Sequence, residues 1–500
     1  MTTLLLAAIV ACSPDTGPLE LPRLPPLPPL LAEGAAPRGP EISVRQLIVA
    51  FTGSVRGEVE VCGCPTTPYG GFERRGVLFD QLRAHAVPVF TADNGEMLVK
   101  GLTARDEVDR KLRAEVMLDL ARTTGLDAWA ASPLDLPPGG AAFLGEQGAL
   151  SANWLPADGV SLAAVRIVER DGIRVGFVGV SDLPVDDDAA AAVRAVSSAM
   201  KEPVDLWLAL SNASEAVNVA VAEGVPALGA VLATQGEAYD EPRKTKGAPI
   251  FEAAARGRYV SVLHLTLGTE ARALELKSEG LWKDVANARG RVAAAVDDAA
   301  LLRAELERDE ARLPEVTAGR NVAVFESIPL DGSYEPKGTG SAVSERMAGF
   351  RDSVLASAAE STAKVAPGGG YATGSSCARC HADRVASWGF DGHARAMASL
   401  VKRSEQGNPE CVACHSTGFG QPGGFAELSR EKLESFRDVQ CEACHGPMAG
   451  HNGAGKAGEA IREATCRGCH DEANSPGFDY QTYLSKISCV RVSGQSAPDQ

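Results

Sequence analysis

Histidine is scarce in this sequence, at 8 of 500 residues. Residues 43–275 contain only two of the eight, His85 and His264. A centre that hydrolyses phosphate esters with two metal ions needs several nitrogen and oxygen ligands close together. The scarcity therefore excludes an imidazole-rich metal centre from this part of the chain.

Basic runs are lacking as well. Lys and Arg total 49 against 65 Asp and Glu, which gives a formal net charge of −16. Nucleic acids and anionic membrane surfaces attract basic patches, so this balance disfavours both as direct partners, whereas it is compatible with basic redox partner proteins. Beyond the first eleven residues no apolar run is long enough to span a bilayer as a helix. The length predicts roughly two to four domains.

The amino terminus carries an apolar run over residues 4–11 that is too short to span a bilayer. The run ends in the letters IVAC, which is typical of a bacterial lipoprotein signal, so we predict a signal peptide over 1–12 with lipidation of Cys12. An ordinary secretory signal is the alternative, and no Lys or Arg precedes the run. Residues 13–42 are rich in proline, which favours an extended linker. We therefore expect a periplasmic or cell-envelope protein, anchored through its lipid at the outer membrane.

Cysteine is concentrated near the other end of the sequence. Four copies of Cys-x-x-Cys-His occur there: Cys377–His381, Cys411–His415, Cys441–His445 and Cys466–His470. In this motif the two thiols bond covalently to a porphyrin and the histidine becomes the proximal ligand of the iron. Zinc ligand pairs and redox pairs are the alternatives, but neither requires a histidine after the second cysteine. With histidine so scarce, the four copies predict four c-type haems.

The four motifs lie in a short stretch, with starts 34, 30 and 25 residues apart. About 120 residues are too few for four separate cytochrome folds, so the porphyrins would form most of the core. We predict a mainly helical haem domain over 367–490 that folds poorly without haem. Its two remaining histidines, His393 and His451, are candidates for sixth ligands to iron.

The haem stretch resembles the tetrahaem cytochrome c-554 family through "SWGFDGHARAM", "CVACHSTGFG", "QCEACHGPMAGH" and "CHDEANSPGFDYQTYLSKI". The resemblance covers residues 371–490 and implies that His393 and His451 are distal ligands. The family usually has a histidine where this chain has Cys489. Two spare histidines do not serve four irons, so two haems would use Cys489, Met397, Met448, a side chain from elsewhere, or no sixth ligand.

The middle of the chain alternates strand-like and helix-like segments. "RQLIVAF", "VPVFTA", "VDLWLALS" and "GAVLAT" read as buried strands, 102–125 and 186–200 as helices, and Asp171-Gly172 as a hairpin turn. Together they predict an α/β domain over 43–275 with its sheet covered by helices.

This middle region resembles the calcineurin-like metallophosphatase and 5'-nucleotidase superfamily through "LIVAFTGSVRG", "GGFERRGVLFDQL", "LDAWAASPLDL", "LSANW" and "RDGIRVGFVGVSD". The resemblance implies the family's sandwich fold. The family's metal ligands are replaced here, however, at Ser54, Arg56, Glu96, Pro133, Leu134, Asn212, Thr234 and Gln235. We therefore predict that the domain is inactive as a phosphoesterase, with His264 as a packed or edge-exposed structural residue and His85 as a helix cap.

Three cysteines remain outside the haem motifs and the lipid box. Cys62 and Cys64 form a Cys-Gly-Cys segment that resembles one branch of the metallophosphatase superfamily, and Cys489 stands alone. Two interpretations of the pair are open: a site for a soft metal or for redox chemistry, and a structural turn that tolerates buried thiols. Because the number is odd, at least one thiol is free, bound to metal or joined to another chain.

Residues 276–366 connect the two domains. Apolar residues at helical spacing predict one helix over 280–313, which Pro314 ends, and a second over 343–364. We interpret both helices as a spacer.

These features support three functions. The first is a lipid-anchored electron-transfer protein, with the phosphatase-like domain as a scaffold or docking module and no catalytic residue. The second is an oxidoreductase that acts on a small nitrogen or sulfur compound at a haem with an open position. The third, which the missing ligands disfavour, is a metal-dependent phosphoesterase or nucleotidase fused to a haem module.

Overall fold

The computed structural model describes residues 45–487, apart from 62–67, 85–86, 99–106, 137–139, 155, 157–159, 183–187, 235–241, 269–273, 277–303, 305–320, 337–339, 365–368, 404, 452–460, 472–474 and 476. Several predictions lie outside the described residues: the signal peptide and linker, Cys12, Cys62, Cys64, His85, Gln235, Cys489 and nearly all of the helix over 280–313. Within the described part of the chain, no helix is both long enough and apolar enough to cross a membrane.

Two β-sheets organise the first region. The six-stranded sheet has the order β10-β11-β9-β1-β2-β3 and the five-stranded sheet the order β4-β5-β6-β7-β8. The strands are β1 (Arg45–Thr52), β2 (Val89–Asp93), β3 (Ala128–Trp129), β4 (Val165–Arg170), β5 (Ile173–Val180), β6 (Leu206–Ser211), β7 (Ala230–Thr234), β8 (Ile250–Ala253), β9 (Tyr259–Leu267), β10 (Glu275–Leu276) and β11 (Val322–Pro329). Asp171 and Gly172 turn the β4–β5 hairpin with positive φ, as predicted.

The central strands β1, β6 and β7 are apolar on both faces because both faces are covered. In β1, Leu47, Val49 and Phe51 face the other sheet and pack with residues of β5 to β9. Ile48 and Ala50 point the opposite way and pack against the first helix. Alternate residues of each central strand therefore enter two different layers of core.

Six helices of this region belong to the described residues: α1 (Phe72–Arg83), α2 (Glu107–Thr123), α3 (Gly140–Glu146), α4 (Ala189–Ala199), α5 (Glu215–Gly224) and α6 (Ala342–Thr362). Helix α1 covers the outer face of the first sheet. Helices α4 and α5 cover the outer face of the second sheet. The side chain of Asp188 caps the start of α4, and that of Ser214 caps the start of α5. The region is an α/β sandwich, which confirms the predicted fold class.

The structure places part of the predicted spacer in this sandwich. Strand β11 lies between β9 and β10, antiparallel to β9, so residues 322–329 complete the first sheet. Helix α6 packs Val343, Met347 and Phe350 against α2 and its neighbours. The spacer interpretation is therefore corrected for residues 322–329 and 342–362, because both segments bury apolar residues in the sandwich, while the helix predicted over 280–313 stays a prediction. His264 is 8 % exposed and lies in β9, a central strand, so it is a packed residue and not an edge residue.

The second region, from residue 369 onward, is built from short helices. The described ones are α7 (Gly374–Cys377), α8 (Ala382–Trp388), α9 (Ala396–Val401), α10 (Pro409–His415), α11 (Arg430–Phe436), α12 (Cys441–His445), α13 (Glu463–Arg467) and α14 (Tyr480–Lys486). One small apolar cluster joins Met397, Leu400, Val412, Phe419 and Phe425 to Ala358 of α6. This region is mainly helical, as predicted, with few buried side chains.

Candidate functional site

Each of the four Cys-x-x-Cys-His motifs forms a helical turn. In the first, the backbone N–H of His381 donates to the carbonyl of Cys377 at 2.9 Å, and in the fourth that of His470 donates to Cys466 at 2.8 Å. Residues i, i+3 and i+4 of such a turn share one face. Two thiols and one imidazole therefore project together, and the eight motif cysteines form no disulfide and are incompletely buried.

Two of the motif histidines have one ring nitrogen held by the protein. His415 Nδ1 lies 2.7 Å from the carbonyl oxygen of Ala396, and His470 Nδ1 lies 2.8 Å from Ser475 Oγ. A carbonyl oxygen accepts but does not donate, so Nδ1 of His415 carries the proton. The other nitrogen, Nε2, is then available to a metal, and this is the usual arrangement of a ligating histidine.

His393 lies next to the fourth motif. Its ring centroid is 6.0 Å from that of His470, with an interplanar angle of 70°. Two imidazole rings whose centres are about 6 Å apart could both reach one iron, because a ligating nitrogen lies about 2 Å from its metal and the ring centre about 1 Å beyond. The spacing of these two histidines therefore suits an iron between them.

The surroundings of this pair hold both rings in place. Asp391 accepts from the backbone N–H of His393 at 3.0 Å, and its carboxylate lies 3.2 Å from His393 Nδ1. His470 stacks on Phe478 with ring centroids 5.0 Å apart, and Tyr483 meets its edge. Burial, followed by the proximity of His393, lowers the pKa of His470. The neutral imidazole, which is the form that binds metal, is thereby favoured.

The other predicted ligands are placed differently. His381 and His451 are exposed, and His451 stands just before the undescribed segment 452–460. Met397 is 4 % exposed within the small apolar cluster, where it packs with Leu400. The structure thus brings His393 to a motif histidine, while the distal role of His451 stays a prediction.

Neighbouring attachment sites lie close together. The thiol of Cys414, in the second motif, is 3.9 Å from the carbonyl oxygen of Gly468, in the fourth. Groups attached at these two motifs would be neighbours although their sequence positions are far apart. Close spacing of this kind is what transfer between redox centres requires.

The metallophosphatase-like positions of the sandwich hold a different arrangement. Ser54 Oγ donates to Glu96 Oε2 at 2.7 Å, and Arg56 donates to the same oxygen through NH2 at 2.9 Å and Nε at 3.1 Å. All three residues have positive φ, of 48°, 53° and 55°. Non-glycine residues rarely adopt this conformation, so the loops after β1 and β2 are strained. The carboxylate expected near a metal is instead neutralised by a guanidinium.

The remaining positions are occupied by packing and hydrogen bonds. Asn212 Nδ2 donates to the carbonyls of Asn94 and Ala131 at 3.0 and 3.1 Å. Pro133 and Leu134 form a short 3-10 helix, and Leu134 is 62 % exposed. Asn212 thus ties the strand ends together, and none of these three side chains offers an imidazole.

Two buried carboxylates in this site were missed by the sequence analysis. Asp93 accepts from Thr52 Oγ1 at 2.6 Å and from the backbone N–H of Gly95 at 2.9 Å. Asp135 accepts from the backbone of Leu98 at 2.7 Å and of Met97 at 3.2 Å. Burial raises the pKa of Asp93 to about 6 and that of Asp135 to about 8. An acidic residue at the end of a buried strand is the signal that could have revealed Asp93.

The sequence of the second region matches known proteins. Residues 376–446 match the family model for cytochrome c554 and c-prime. The second region is similar to cytochrome c-554. The curated cytochrome c-554 of Nitrosomonas europaea is 29 % identical over 140 residues, which cover 24 % of this chain and 57 % of that protein. The chain thus spans little more than half the length of this relative.

The α/β region is similar to solved calcineurin-like structures. The 5'-nucleotidase precursor from Thermus thermophilus is 17 % identical, with a TM-score of 0.44, over 64 % of this chain and 61 % of that one. The calcineurin-like phosphoesterase YfkN from Bacillus subtilis is 13 % identical, with a TM-score of 0.42, over 62 % of this chain and 98 % of that one. The resemblance of the second region to the cytochrome c-554 family, inferred from the sequence, is confirmed.

The donor set of the cytochrome c554-like region fits covalently bound c-type haem, which the family match implies. Each turn supplies two thiols for the porphyrin and one imidazole for the iron. A structural zinc site needs four ligands at one point. Among the described residues, no group of three or more His, Cys, Asp or Glu side chains is placed to hold a metal ion.

Proposed function

We propose that the chain is a cell-envelope electron-transfer protein with four c-type haems, lipid-anchored through Cys12, in which the metallophosphatase-like region is a scaffold or docking module. One observation carries the proposal: four Cys-x-x-Cys-His turns follow one another in a region that has little apolar core of its own. The haems supply reversible one-electron chemistry at iron, and basic redox proteins are the expected partners.

The roles of the residues follow from their donor chemistry. Cys377, Cys380, Cys411, Cys414, Cys441, Cys444, Cys466 and Cys469 hold the porphyrins, and His381, His415, His445 and His470 are the proximal ligands. His393 and His451 complete two of the iron sites. The fixed Nδ1 atoms of His415 and His470 orient the rings, and the short chain between motifs keeps the porphyrins close to one another.

A second candidate function rests on the histidine count. Residues 367–490 contain six histidines for four irons, so two irons lack an imidazole as their sixth ligand from this region. An iron with an open position binds small molecules, whereas a six-coordinate iron mainly carries electrons. A small nitrogen or sulfur compound is then the substrate class of an oxidoreductase.

The proposal is tested on the full chain, exported in a bacterial host with the haem-attachment machinery. Mass spectrometry and a haem assay should give four covalent haems per chain, and a Cys12→Ser variant should leave the membrane fraction. Fewer haems, or a zinc-loaded chain, would refute the tetrahaem proposal. A high-spin signal that shifts on adding nitrite or hydroxylamine would favour the oxidoreductase over pure electron transfer.

A further inference from the structure

A buried arginine lies where the sandwich and the cytochrome c554-like region meet. Arg113 belongs to α2, and its side chain is 6 % exposed. Its NH1 donates to the carbonyl of Gly57, in the loop after β1, at 3.4 Å, and its guanidinium lies 5.9 Å from the ring centre of Phe350 on α6. Its NH2 donates to Glu410 Oε2 at 2.6 Å. One side chain therefore contacts a loop and a neighbouring helix of the sandwich, as well as a helix of the second region.

Glu410 directly precedes Cys411, the first thiol of the second motif. It lies in the first turn of α10, where Asn408 Oδ1 accepts from its backbone N–H at 3.1 Å. Its side chain is 12 % exposed, and Oε1 is buried without a hydrogen-bond partner in the structure. Arg113 is thus the cation that neutralises a nearly buried carboxylate beside a haem-attachment site.

A second ion pair lies on the sandwich side of this junction. Arg351 of α6 donates through Nε and NH2 to the two carboxylate oxygens of Glu60 at 2.8 and 2.9 Å. Burial raises the pKa of the Cys411 thiol to about 12, and Glu405, Glu60 and Glu410 act in the same direction. Three carboxylates therefore act on this thiol, and two of them, Glu410 and Glu60, are each paired with a guanidinium group, of Arg113 and Arg351.

We propose that Arg113 is a positioning residue for the second haem, which it serves by holding Glu410 and helix α10 against the sandwich and by setting the local charge. The inference rests on the proposed function, because it requires a haem at Cys411 and Cys414. Ferric haem carries one more positive charge than ferrous haem, so uncompensated negative charge nearby favours the ferric form. Loss of the Arg113 charge should therefore lower the reduction potential of this haem, and loss of the Glu410 charge should raise it.

The experiment uses the full-length holoprotein with four variants: Arg113→Gln, Glu410→Gln, the double variant and Arg346→Gln. Arg346 is the matched control, because it also links α6 to α2, through Asp119 at 3.2 Å, but it is 58 % exposed. Haem content is measured first, and then each preparation is titrated spectroelectrochemically. We expect one of the four redox components to shift downward in Arg113→Gln and upward in Glu410→Gln. It should return close to the wild-type value in the double variant, and Arg346→Gln should leave all four unchanged.

Shifts of the reduction potential in opposite directions in the two single variants indicate a charge effect. General loosening of the fold would instead shift both potentials in the same direction. The inference would be overturned if either single variant kept the wild-type potentials, or if both variants shifted the potential in the same direction. A shift spread over all four redox components would also overturn it. If Arg113→Gln yields no holoprotein, Glu410→Gln alone decides: an upward shift of one component supports the role and an unchanged titration refutes it. A wild-type chain without four haems would refute the proposed function instead, and the haem assay reveals this before any titration.

Discussion

The sandwich and the cytochrome c554-like region use their side chains in different ways. In the sandwich, strands such as β1, β6 and β7 are buried on both faces, and fully buried phenylalanines fill the layers between sheets and helices. In the second region the described helices are four to seven residues long, and one small cluster holds most of the buried apolar residues. We therefore expect the first region to fold by itself on its own apolar core, and the second to need bound groups to complete its core.

Histidine shows the same contrast. His264 in the sandwich is enclosed in a central strand, with Nε2 buried 3.6 Å from a carboxylate oxygen of Glu326. His415 and His470 lie half-buried near helical turns, with Nδ1 held and Nε2 available. The histidine side chain is thus a packed residue in the sandwich, whereas in the second region we expect it to bind iron through Nε2.

The largest expected effect is the collapse of the second region when haem is withheld. Full-length chain produced without the haem-attachment machinery should keep the sandwich folded but lose the short helices, since their small cluster cannot offset the entropy of ordering them. Hydrogen exchange should show protection in β1, β6 and β9 and almost none between residues 371 and 487. The holoprotein is the control, and equal protection of the second region in both forms would contradict the comparison.

The sequence anticipated this contrast but not the junction between the regions. Apolar strand patterns, the Asp171-Gly172 turn and the four motifs are local signals, and each is found where it was expected. An amphipathic helix such as α6 reveals that one face is buried but not against what, so its contact with α2 was missed. Contacts such as Arg113–Glu410, between residues 297 apart, leave no local signal at all.

The next effect concerns the stability of the sandwich as the pH rises from 6 to 8. Burial raises the pKa of Asp135 to about 8, so the folded state binds its proton more tightly than the unfolded chain does. The tighter proton binding stabilises the folded state fully below the unfolded pKa of about 4, and this stabilisation is lost as the pH rises through 8. The free energy of unfolding changes by an amount on the order of a few kcal/mol. Asp135→Asn should therefore remove the fall in melting temperature between pH 6 and 8.

Asp93, whose pKa is about 6, should also lower the melting temperature as the pH rises toward 6, and this fall should remain in the Asp135→Asn variant. Calorimetry at half-unit pH intervals measures both parts. Asp80→Asn is the control, because the Asp80 side chain is 83 % exposed and lies on α1 in the same sandwich. A variant that retains the wild-type slope between pH 6 and 8 would show that Asp135 is not the titrating group.

A smaller effect is confined to one haem. His393→Ala removes the ring that faces His470 at 6.0 Å, so one iron should change from low-spin to high-spin while the other three keep their signals. Electron paramagnetic resonance of the oxidised holoprotein measures this change. His264→Asn, in the sandwich, should leave the spectrum unaltered. A His393→Ala spectrum identical to that of the wild type would separate His393 from the iron at the fourth motif.

The last prediction is that metal ions have no effect on phosphate-ester hydrolysis at the metallophosphatase-like site. Glu96 is already neutralised by Arg56, and Asn212 and Leu134 supply no imidazole, so added Mn²⁺, Co²⁺ or Zn²⁺ should find no pair of sites at which to bind. The full-length protein should therefore hydrolyse nucleoside monophosphates and p-nitrophenyl phosphate no faster with these ions than with a chelator. Metal-dependent turnover that disappears in Glu96→Gln would place catalysis in the sandwich. The division between a scaffold and a haem-bearing region would then be wrong, since both regions would carry chemistry.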